Sequence, residues 1–318
     1  MAMSNTTKNI FSLSAGKDST ATLLVGIAQE VPNLHAVSAD TGYESPLSYE
    51  YLDYLEDALG IRIQRVKADF STQIARKRRY IEERWPKEGV SDEAIKLALE
   101  MLHPTGIPFL DLCLWKGRFP STKARFCTHE LKVKPLFEQC LMPALDGGGM
   151  VLSWQGVRRD ESLARRYLPE CDEVGGGLYN YRPILKWKVE DVFEAHRYMG
   201  IRWNPLYEKG CGRVGCFPCI NETKDGIANI SQRWPWVIDL IEKWERMVSL
   251  VSKRGCSTFY CAVDDPMFEG GEIISPETHG IRKRVEWAKT SRGGRQYDLI
   301  KSISDTGCKS AYGLCDSA

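Results

Sequence analysis

The segment Ile10-Phe11-Ser12-Leu13-Ser14-Ala15-Gly16-Lys17-Asp18-Ser19 decides the fold of this chain. Ile10 to Leu13 is a short, mostly apolar run that is typical of a buried strand, and Ser19 to Ile27 has the apolar spacing of a helix. The small polar residues between the two runs predict a tight loop. The segment therefore predicts a strand, a loop and a helix in direct succession.

The same alternation continues along the chain. Apolar runs at Leu34 to Ala39, Arg62 to Val66 and Met150 to Ser153 predict strands, and helical spacing over Ser48 to Leu59 and Glu190 to Met199 predicts helices. Strands that alternate with helices favour an α/β fold with a doubly wound, mostly parallel, Rossmann-like sheet.

Composition limits the class of protein. The chain has 318 residues, 43% hydrophobic and 27% charged, and a formal net charge of +1. This balance gives no electrostatic support for nucleic acid, and the basic run Arg76 to Arg79 is interpreted as a solvated helix face. No apolar stretch approaches the roughly 20 residues that a membrane helix needs, and the first residues do not resemble a signal peptide. The sequence therefore predicts a cytoplasmic protein.

The predicted organisation has two parts. Residues 1–230 form the α/β domain, with a charged helical insertion at 71–112. Residues 231–318 form a helical, cysteine-containing extension that begins with an amphipathic helix over Trp234 to Val251.

The loop after the first strand has the residue types of a phosphate site. Gly16 allows close approach of the backbone, and the N–H groups at the start of the following helix attract an anion. Ser14 and Ser19 add hydroxyl donors, Lys17 adds a point charge, and Asp18 could hold the Mg²⁺ of ATP. The alternative is a small-residue turn that caps a helix. Because ligands of parallel sheets bind beyond the carboxyl ends of the strands, Asp40 is expected at the same edge.

Ser14 to Ser19 resembles the PP-loop of the ATP pyrophosphatases, which cleave ATP between its α and β phosphates. Further segments are similar to those of the phosphoadenosine-phosphosulfate (PAPS) reductase family, also called CysH-like. They are Asp40-Thr41-Gly42-Tyr43, the stretch Cys127 to Leu136, Gly156 to Ser162 with Arg165 behind it, and Asn204 to Cys219. The resemblance covers residues 8–226 and implies the Rossmann-like HUP-type fold.

The resemblance also implies roles for individual residues. Catalytic roles fall to Lys17, Asp18, Arg158 and Arg165, and Lys132 would face a cluster or a substrate anion. The expected contacts of ATP or a sulfonucleotide are Ser12, Ser14, Gly16, Lys17, Asp18, Ser19, Asp40, Gly42, Gly156 and Arg158.

Eleven cysteines are many for a cytoplasmic protein, where clustered cysteines indicate metal or redox chemistry. Cys211, Cys216 and Cys219 have the spacing C-x4-C-x2-C, which suits metal ligands. A fourth thiolate is needed, and the resemblance implies Cys127, because its segment is similar to the family's other ligand segment. The family's first segment has two adjacent cysteines, whereas position 128 is Thr, so Cys211 is expected to replace the missing ligand. The expected metal centre is a [4Fe–4S] cluster, with structural zinc or no metal as alternatives.

The remaining cysteines carry weaker signals. Cys113, Cys140 and Cys171 are interpreted as ordinary packed residues. A second metal site formed by Cys256, Cys261, Cys308 and Cys315 is a less favoured hypothesis.

Three functions remain open. The first is cleavage of ATP at the α–β bond with adenylation or thiolation of a sulfur-acceptor protein, as in the DndC-like iron–sulfur proteins that this chain resembles. The second is a PAPS or adenylyl-sulfate reductase that makes sulfite with thioredoxin, although the family's C-terminal Glu-Cys-Gly-x-His signature is absent around Cys315. The third is a non-catalytic nucleotide sensor in a defence or mobile-element system. The intact Lys17 and Asp18 favour the first, and the sequence leaves a homodimer open.

Overall fold

A six-stranded sheet forms the centre of the protein. The computed structural model describes residues 7–260 and 274–290. The strands are β1 (Lys8–Leu13), β2 (Leu34–Asp40), β3 (Ile63–Lys67), β4 (Val151–Trp154), β5 (Cys171–Gly175) and β6 (Leu178–Tyr181). Their order is β3-β2-β1-β4-β6-β5, and every neighbouring pair is parallel except β5 with β6. The predicted α/β fold with a mostly parallel sheet is confirmed.

The strand order reverses its direction between β1 and β4. From β1 the chain builds outward through β2 to β3, and it then returns to the other side of β1 to form β4. Such a reversal leaves a crevice at the carboxyl ends of the two strands, because their connections run away from it in opposite directions. The predicted phosphate loop follows β1, and Gly156 and Arg158 follow β4, so both segments lie at this crevice.

Helices flank the sheet. The first five are α1 (Lys17–Ala28), α2 (Pro46–Leu59), α3 (Ser71–Arg84), α4 (Asp92–Met101) and α5 (Pro108–Lys116). A helical stretch at 126–146 alternates short α and π segments. Later helices are Val189–Tyr198, Pro205–Glu208, Lys224–Arg233, Pro235–Leu250, Pro276–His279 and Ile281–Ala288. None of the helices within the described ranges is long and apolar enough to cross a membrane.

Aromatic side chains fix the centre of the core. Trp154 of β4 is fully buried and stacks on Phe11 of β1 at 4.5 Å between ring centroids. Its indole N–H donates to Asn9 Oδ1 at 2.9 Å, which satisfies the one polar atom of the ring. This packing holds β1 and β4 in register directly below the crevice.

The extension after residue 230 shares that core. Trp244, in the helix Pro235–Leu250, lies 4.9 Å from the ring of Tyr43 and 5.9 Å from that of Phe109. Tyr43 follows β2 and Phe109 belongs to α5, so apolar contacts cross the predicted boundary. The division at residue 230 stays a prediction about folding units.

The burial of individual residues tests several local expectations. Cys171 was expected to be packed but is exposed, because it lies on β5 at the edge of the sheet. Within the predicted charged helical insertion at 71–112, α5 packs its apolar residues into the core, and Pro108 to Leu114 are buried. Cys113 and Cys140 are buried as predicted. Cys261, Cys308 and Cys315 lie outside the described residues.

Candidate active site at the crevice

The loop between β1 and α1 has the geometry of an anion site. Ala15 adopts φ +61°, a left-handed conformation that turns the chain sharply before the extended Gly16. Ser19 Oγ lies 3.2 Å from Ser14 Oγ and donates to the Gly16 carbonyl oxygen at 3.0 Å. Gly16 has no side chain to cap α1, so no N-cap side chain occupies the N–H groups of its first turn. Of these, the Lys17 N–H donates to the Tyr207 hydroxyl and the Thr20 N–H to the Gly16 carbonyl oxygen.

A buried ion cluster stands at the start of α1. The Asp18 carboxylate is fully buried and receives Lys17 Nζ at 2.8 Å and Arg158 Nε at 2.6 Å. Burial alone would raise the pKa of Asp18, but the charges and hydrogen bonds of Lys17 and Arg158 hold this pKa below its usual value. Asp18 thus orients the two cations, one on each carboxylate oxygen, and its expected contact with Mg²⁺ stays a prediction.

The loop that follows β4, Gly156 to Ser162 with Arg165 behind it, supports this ion cluster. Arg158 Nη1 also pairs with the exposed Asp160 at 2.7 Å, while the backbone N–H of Arg158 donates to Glu161 Oε2 at 3.1 Å. Arg165 is buried and forms an ion pair with the same Glu161 carboxylate. The structure therefore places Arg165 behind the loop, where it holds Glu161 and through it Arg158.

Gly156 sets the distance between the two loops. A Cβ at this position would lie 2.6 Å from the Ser19 nitrogen and 2.7 Å from its Cα, which is closer than Cβ atoms approach backbone. Only glycine allows the chain leaving β4 to pass this close to the first turn of α1.

Segments far along the chain complete the loop. Asn204 Nδ2 donates to the Ala15 carbonyl oxygen at 3.2 Å, and the Lys17 backbone N–H donates to the Tyr207 hydroxyl at 3.1 Å. His196 Nε2 lies 3.0 Å from the Lys17 carbonyl oxygen. Sequence reasoning had marked Asn204 to Tyr207 as a family segment without assigning this role, and it had found no signal for His196.

A cavity extends from the loop along the ends of β2 and β3, and we call it the β1–β2 cavity. Its polar lining consists of Ser14, Ser38, Asp40, Glu44, Ser48, Tyr49, Arg65 and Lys132. Ser12 lies half-buried within β1, and Gly42 turns with φ +69° against Pro108. Of the predicted nucleotide contacts, the structure brings Ser14 and Asp40 to this cavity. The others are not among its lining residues: Ser12, Gly16, Lys17, Asp18, Ser19, Gly42, Gly156 and Arg158.

The pKa values of two carboxyl groups in this cavity are shifted in opposite directions. Burial raises the pKa of Glu44, against the lowering effect of the Lys132 charge and of hydrogen bonds from Thr41 and Tyr49. Burial also acts on Asp40, but hydrogen bonds from Lys67, Tyr49 and the Gly42 N–H lower its pKa. Sequence reasoning missed Glu44, although it directly follows the Asp40 to Tyr43 segment.

A second cavity, the cysteine cavity, adjoins the first. It is lined by Cys127, Cys216 and Cys219 together with three cationic side chains, Arg125, Lys132 and Arg213. Lys132 and Gly215 line both cavities, so the predicted cysteine segments do meet beside the crevice.

Cys211 does not line the cysteine cavity. Its thiol lies 3.9 Å from Asn229 Nδ2, and burial raises its pKa to about 11. Within residues 7–260 and 274–290, no three His, Cys, Asp or Glu side chains are close enough to hold a metal ion. As arranged here, the four predicted ligands do not form a four-thiolate centre, and the expectation of a cluster or zinc stays a prediction.

Comparison with known proteins adds the following findings. Residues 8–222 match the family profile of the phosphoadenosine phosphosulfate reductase domain. An uncharacterised 37.8 kDa protein of Escherichia phage 186 is 48% identical over 98% of this chain and 97% of its own length. The adenosine 5'-phosphosulfate reductase of Rhizobium meliloti is 33% identical over 39% of this chain. The chain spans 44% of that enzyme's length.

Solved structures show a weaker likeness. The crystal structure of PAPS reductase from Candida auris, as a phosphate complex, is 17% identical with a TM-score of 0.42. The match covers 67% of this chain and 82% of that one.

Proposed function

The chain belongs to the phosphoadenosine phosphosulfate reductase domain family, and on that premise we propose that it binds ATP at the crevice and cleaves it between the α and β phosphates. The observation that carries the proposal is the ion cluster of Lys17, Asp18 and Arg158 beside the open first turn of α1. Two cations fixed by one buried carboxylate are suited to a leaving group with several negative charges.

The chemistry follows from where charge develops. When water attacks the α-phosphorus, its oxygen forms the new bond of AMP and releases its protons to solvent, the bond to the bridging oxygen breaks, and the negative charge moves onto the departing pyrophosphate. Backbone N–H groups of α1, the hydroxyls of Ser14 and Ser19, and the Lys17 and Arg158 side chains surround the place that this pyrophosphate would occupy. Because Asp18 fixes both cations before the reaction, little reorganisation is needed during the step. Mg²⁺ that accompanies ATP would add further charge neutralisation.

A product assay tests this function. The protein is purified under anaerobic conditions and given ATP, and AMP and pyrophosphate are measured. Lys17→Ala should lower the rate about 100- to 1,000-fold, the usual cost of one lost donor at a developing charge. Lys186→Ala is the matched control, since Lys186 is exposed and pairs only with Glu170 at 3.0 Å among the ion pairs of the described residues. Absence of pyrophosphate from ATP would contradict the proposal.

Reduction of a sulfonucleotide is the second candidate. It is favoured by the similarity to curated adenosine 5'-phosphosulfate reductases and by the position of the cysteine cavity beside the β1–β2 cavity. The same preparation is given adenylyl sulfate or PAPS with thioredoxin, and sulfite is measured. Sulfite without pyrophosphate would establish the reductase in place of ATP cleavage. Nucleotide binding without either product would favour the third function, a non-catalytic nucleotide sensor.

The metal prediction has its own test. Cys127, Cys216 and Cys219 line one cavity and could supply three thiolates to a [4Fe–4S] cluster once they move closer together, and Cys211 would have to enter that cavity as the fourth. Iron and acid-labile sulfide are measured after anaerobic purification, and zinc is measured in parallel. Cys211→Ser should lower the iron content if Cys211 is a ligand, whereas Cys171→Ser, at an exposed edge strand, should leave it unchanged.

A further inference from the structure

A large groove lies on another face of the protein, and we call it the basic groove. It has a volume of about 930 Å³ and is bounded by α3, by the end of α5, and by the chain that follows the helix Pro235–Leu250. Its lining contains Arg76, Lys116, Arg118, Lys253 and Arg254, and among residues 7–260 and 274–290 no aspartate or glutamate lines it. The basic run of α3, interpreted from sequence as a solvated face, therefore contributes one wall of a concave cationic surface.

The charge of this groove is only partly neutralised. Lys253 pairs with Glu88 at 3.0 Å, and Lys116 lies 3.8 Å from Glu130. Arg76, Arg118 and Arg254 are exposed, and within the described part of the chain none of them forms an ion pair. The whole chain has a formal net charge of only +1, so positive charge is concentrated locally in this groove and does not reflect a basic protein overall.

One lysine of the groove has a different role. Lys77 Nζ donates to the carbonyl oxygens of Leu114 at 2.7 Å and Val251 at 2.8 Å, at the ends of α5 and of the helix Pro235–Leu250. Burial lowers its pKa to about 8. Lys77 therefore joins two helix ends that form the groove and is unsuited to a mutational test of binding.

Aromatic rings stand among the cations. Tyr80 is 46% exposed, and Trp115 is half-buried with Lys116 Nζ lying 3.8 Å from its ring centroid. Exposed rings beside cations are the combination by which proteins hold single-stranded nucleic acid, because phosphates contact the cations and unpaired bases stack on the rings. An acidic peptide would use the cations but has no need of exposed rings.

We propose that the basic groove binds single-stranded nucleic acid, with its phosphates on Arg76, Arg118 and Arg254 and a base on Tyr80. The Trp115 ring is already stacked on Phe70, with ring centroids 5.6 Å apart, and Lys116 Nζ lies over it, so it borders the groove without offering a free face. The groove also adjoins the cysteine cavity. The Arg118 guanidinium lies 5.5 Å from the ring centroid of Phe126, the residue before Cys127. A strand in the groove therefore passes close to the cysteine segment, and this binding does not depend on the reaction proposed above.

Titration of the full chain with a fluorescein-labelled oligothymidylate tests the proposal by fluorescence anisotropy at several salt concentrations. For single strands, each phosphate contact adds about 0.7 to the slope of log affinity against log salt. The double variant Arg76→Ala with Arg254→Ala should lower the slope by about 1.4 and weaken binding about 25-fold at roughly 0.1 M salt. Tyr80→Ala should weaken binding at least about fivefold at all salt concentrations, whereas Tyr80→Phe retains it.

The matched control is Arg79→Ala with Arg84→Ala. Arg79 and Arg84 are exposed on α3, the helix that carries Arg76, and neither lines the basic groove. The control therefore removes two positive charges, as the groove variant does, but from outside the groove. Salt-dependent binding that the groove variants lose and the control keeps supports the proposal. Three results overturn it: no binding by the parent protein at low salt, an equal loss in the control, or displacement of the oligonucleotide by polyglutamate at equal charge concentration. The last result would identify the groove as a site for acidic proteins.

Discussion

The substitution Asp18→Asn tests whether one buried carboxylate organises the candidate active site. Asp18 is fully buried and contacts two cations whose side chains are themselves 13% and 6% exposed, Lys17 and Arg158. The amide keeps the shape of the side chain and removes its charge. Lys17 and Arg158 then face each other at the start of α1 without the anion that separates them.

The expected loss is large. Removing one partner of a buried ion pair costs about 3–5 kcal/mol, because the remaining charges stay desolvated. At roughly 2 °C per kcal/mol for a chain of this size, thermal unfolding should begin about 6–10 °C lower. Asp160→Asn is the control, since Asp160 is 51% exposed and pairs with the same arginine at 2.7 Å. That surface pair should be worth no more than about 1 kcal/mol.

Calorimetry with and without pyrophosphate separates this explanation from simple damage to the core. An anion placed between Lys17 and Arg158 replaces the lost charge, so saturating pyrophosphate should stabilise the Asn variant more than the parent. The pKa of Asp18 is held below its usual value, so its stabilisation is present at neutral pH and is lost as pH falls through that lowered pKa. The deficit of the variant should therefore shrink in acid. Equal stability of the two proteins at pH 7, or equal stabilisation by pyrophosphate, would refute the reasoning.

Two further predictions concern packing and pH. Gly156→Ala places a methyl group 2.6 Å from the Ser19 nitrogen, so it should cost about 1–3 kcal/mol and weaken nucleotide binding, measured by calorimetry. Gly212→Ala, which meets nothing within 4 Å, should cost less than about 1 kcal/mol, and similar losses in both variants would contradict the steric account. Burial raises the pKa of Glu245 from 4.5 to about 7, so its contribution to stability is fully present below pH 4.5 and is lost as pH rises toward 7. The parent should lose up to about 3 kcal/mol in urea unfolding across that window. The unfolding free energy of Glu245→Gln should not show this fall between pH 4.5 and 7. If the parent and the variant lose the same free energy over that range, Glu245 is not the cause of the fall.

The order of the first elements could be predicted because its signals are local. The apolar run before Ser14, the small residues of the loop and the helical spacing after Lys17 all act within about twenty residues, and β1 and α1 formed where expected. The hairpin of β5 and β6 was missed. Its strand Cys171–Gly175 is largely exposed and polar, so no apolar alternation marks it.

The candidate site shows the same limit. Residue types predicted a phosphate loop at Ser14 to Ser19, but the ion pairs of Asp18 depend on Arg158, which lies 140 positions away in sequence. The spacing of three cysteines, together with the family resemblance around Cys127, predicted four ligands on one centre, yet neither specifies the direction of each thiol. Gly215, with φ +146°, lies just before Cys216, whose thiol faces the cysteine cavity, and Cys211 lies outside that cavity beside Asn229.

The contact between the Lys17 N–H and the Tyr207 hydroxyl joins positions 190 residues apart, and it affects how the protein is made. A ribosome adding about 5–20 residues per second takes roughly 10–40 seconds to pass from the loop to Tyr207. Throughout that interval the nascent chain contains Lys17 and Asp18 but lacks the tyrosine, and for most of it also Arg158. On the proposed function, nucleotide would therefore find a complete site, and stabilise it, only in chains whose synthesis has passed residue 207.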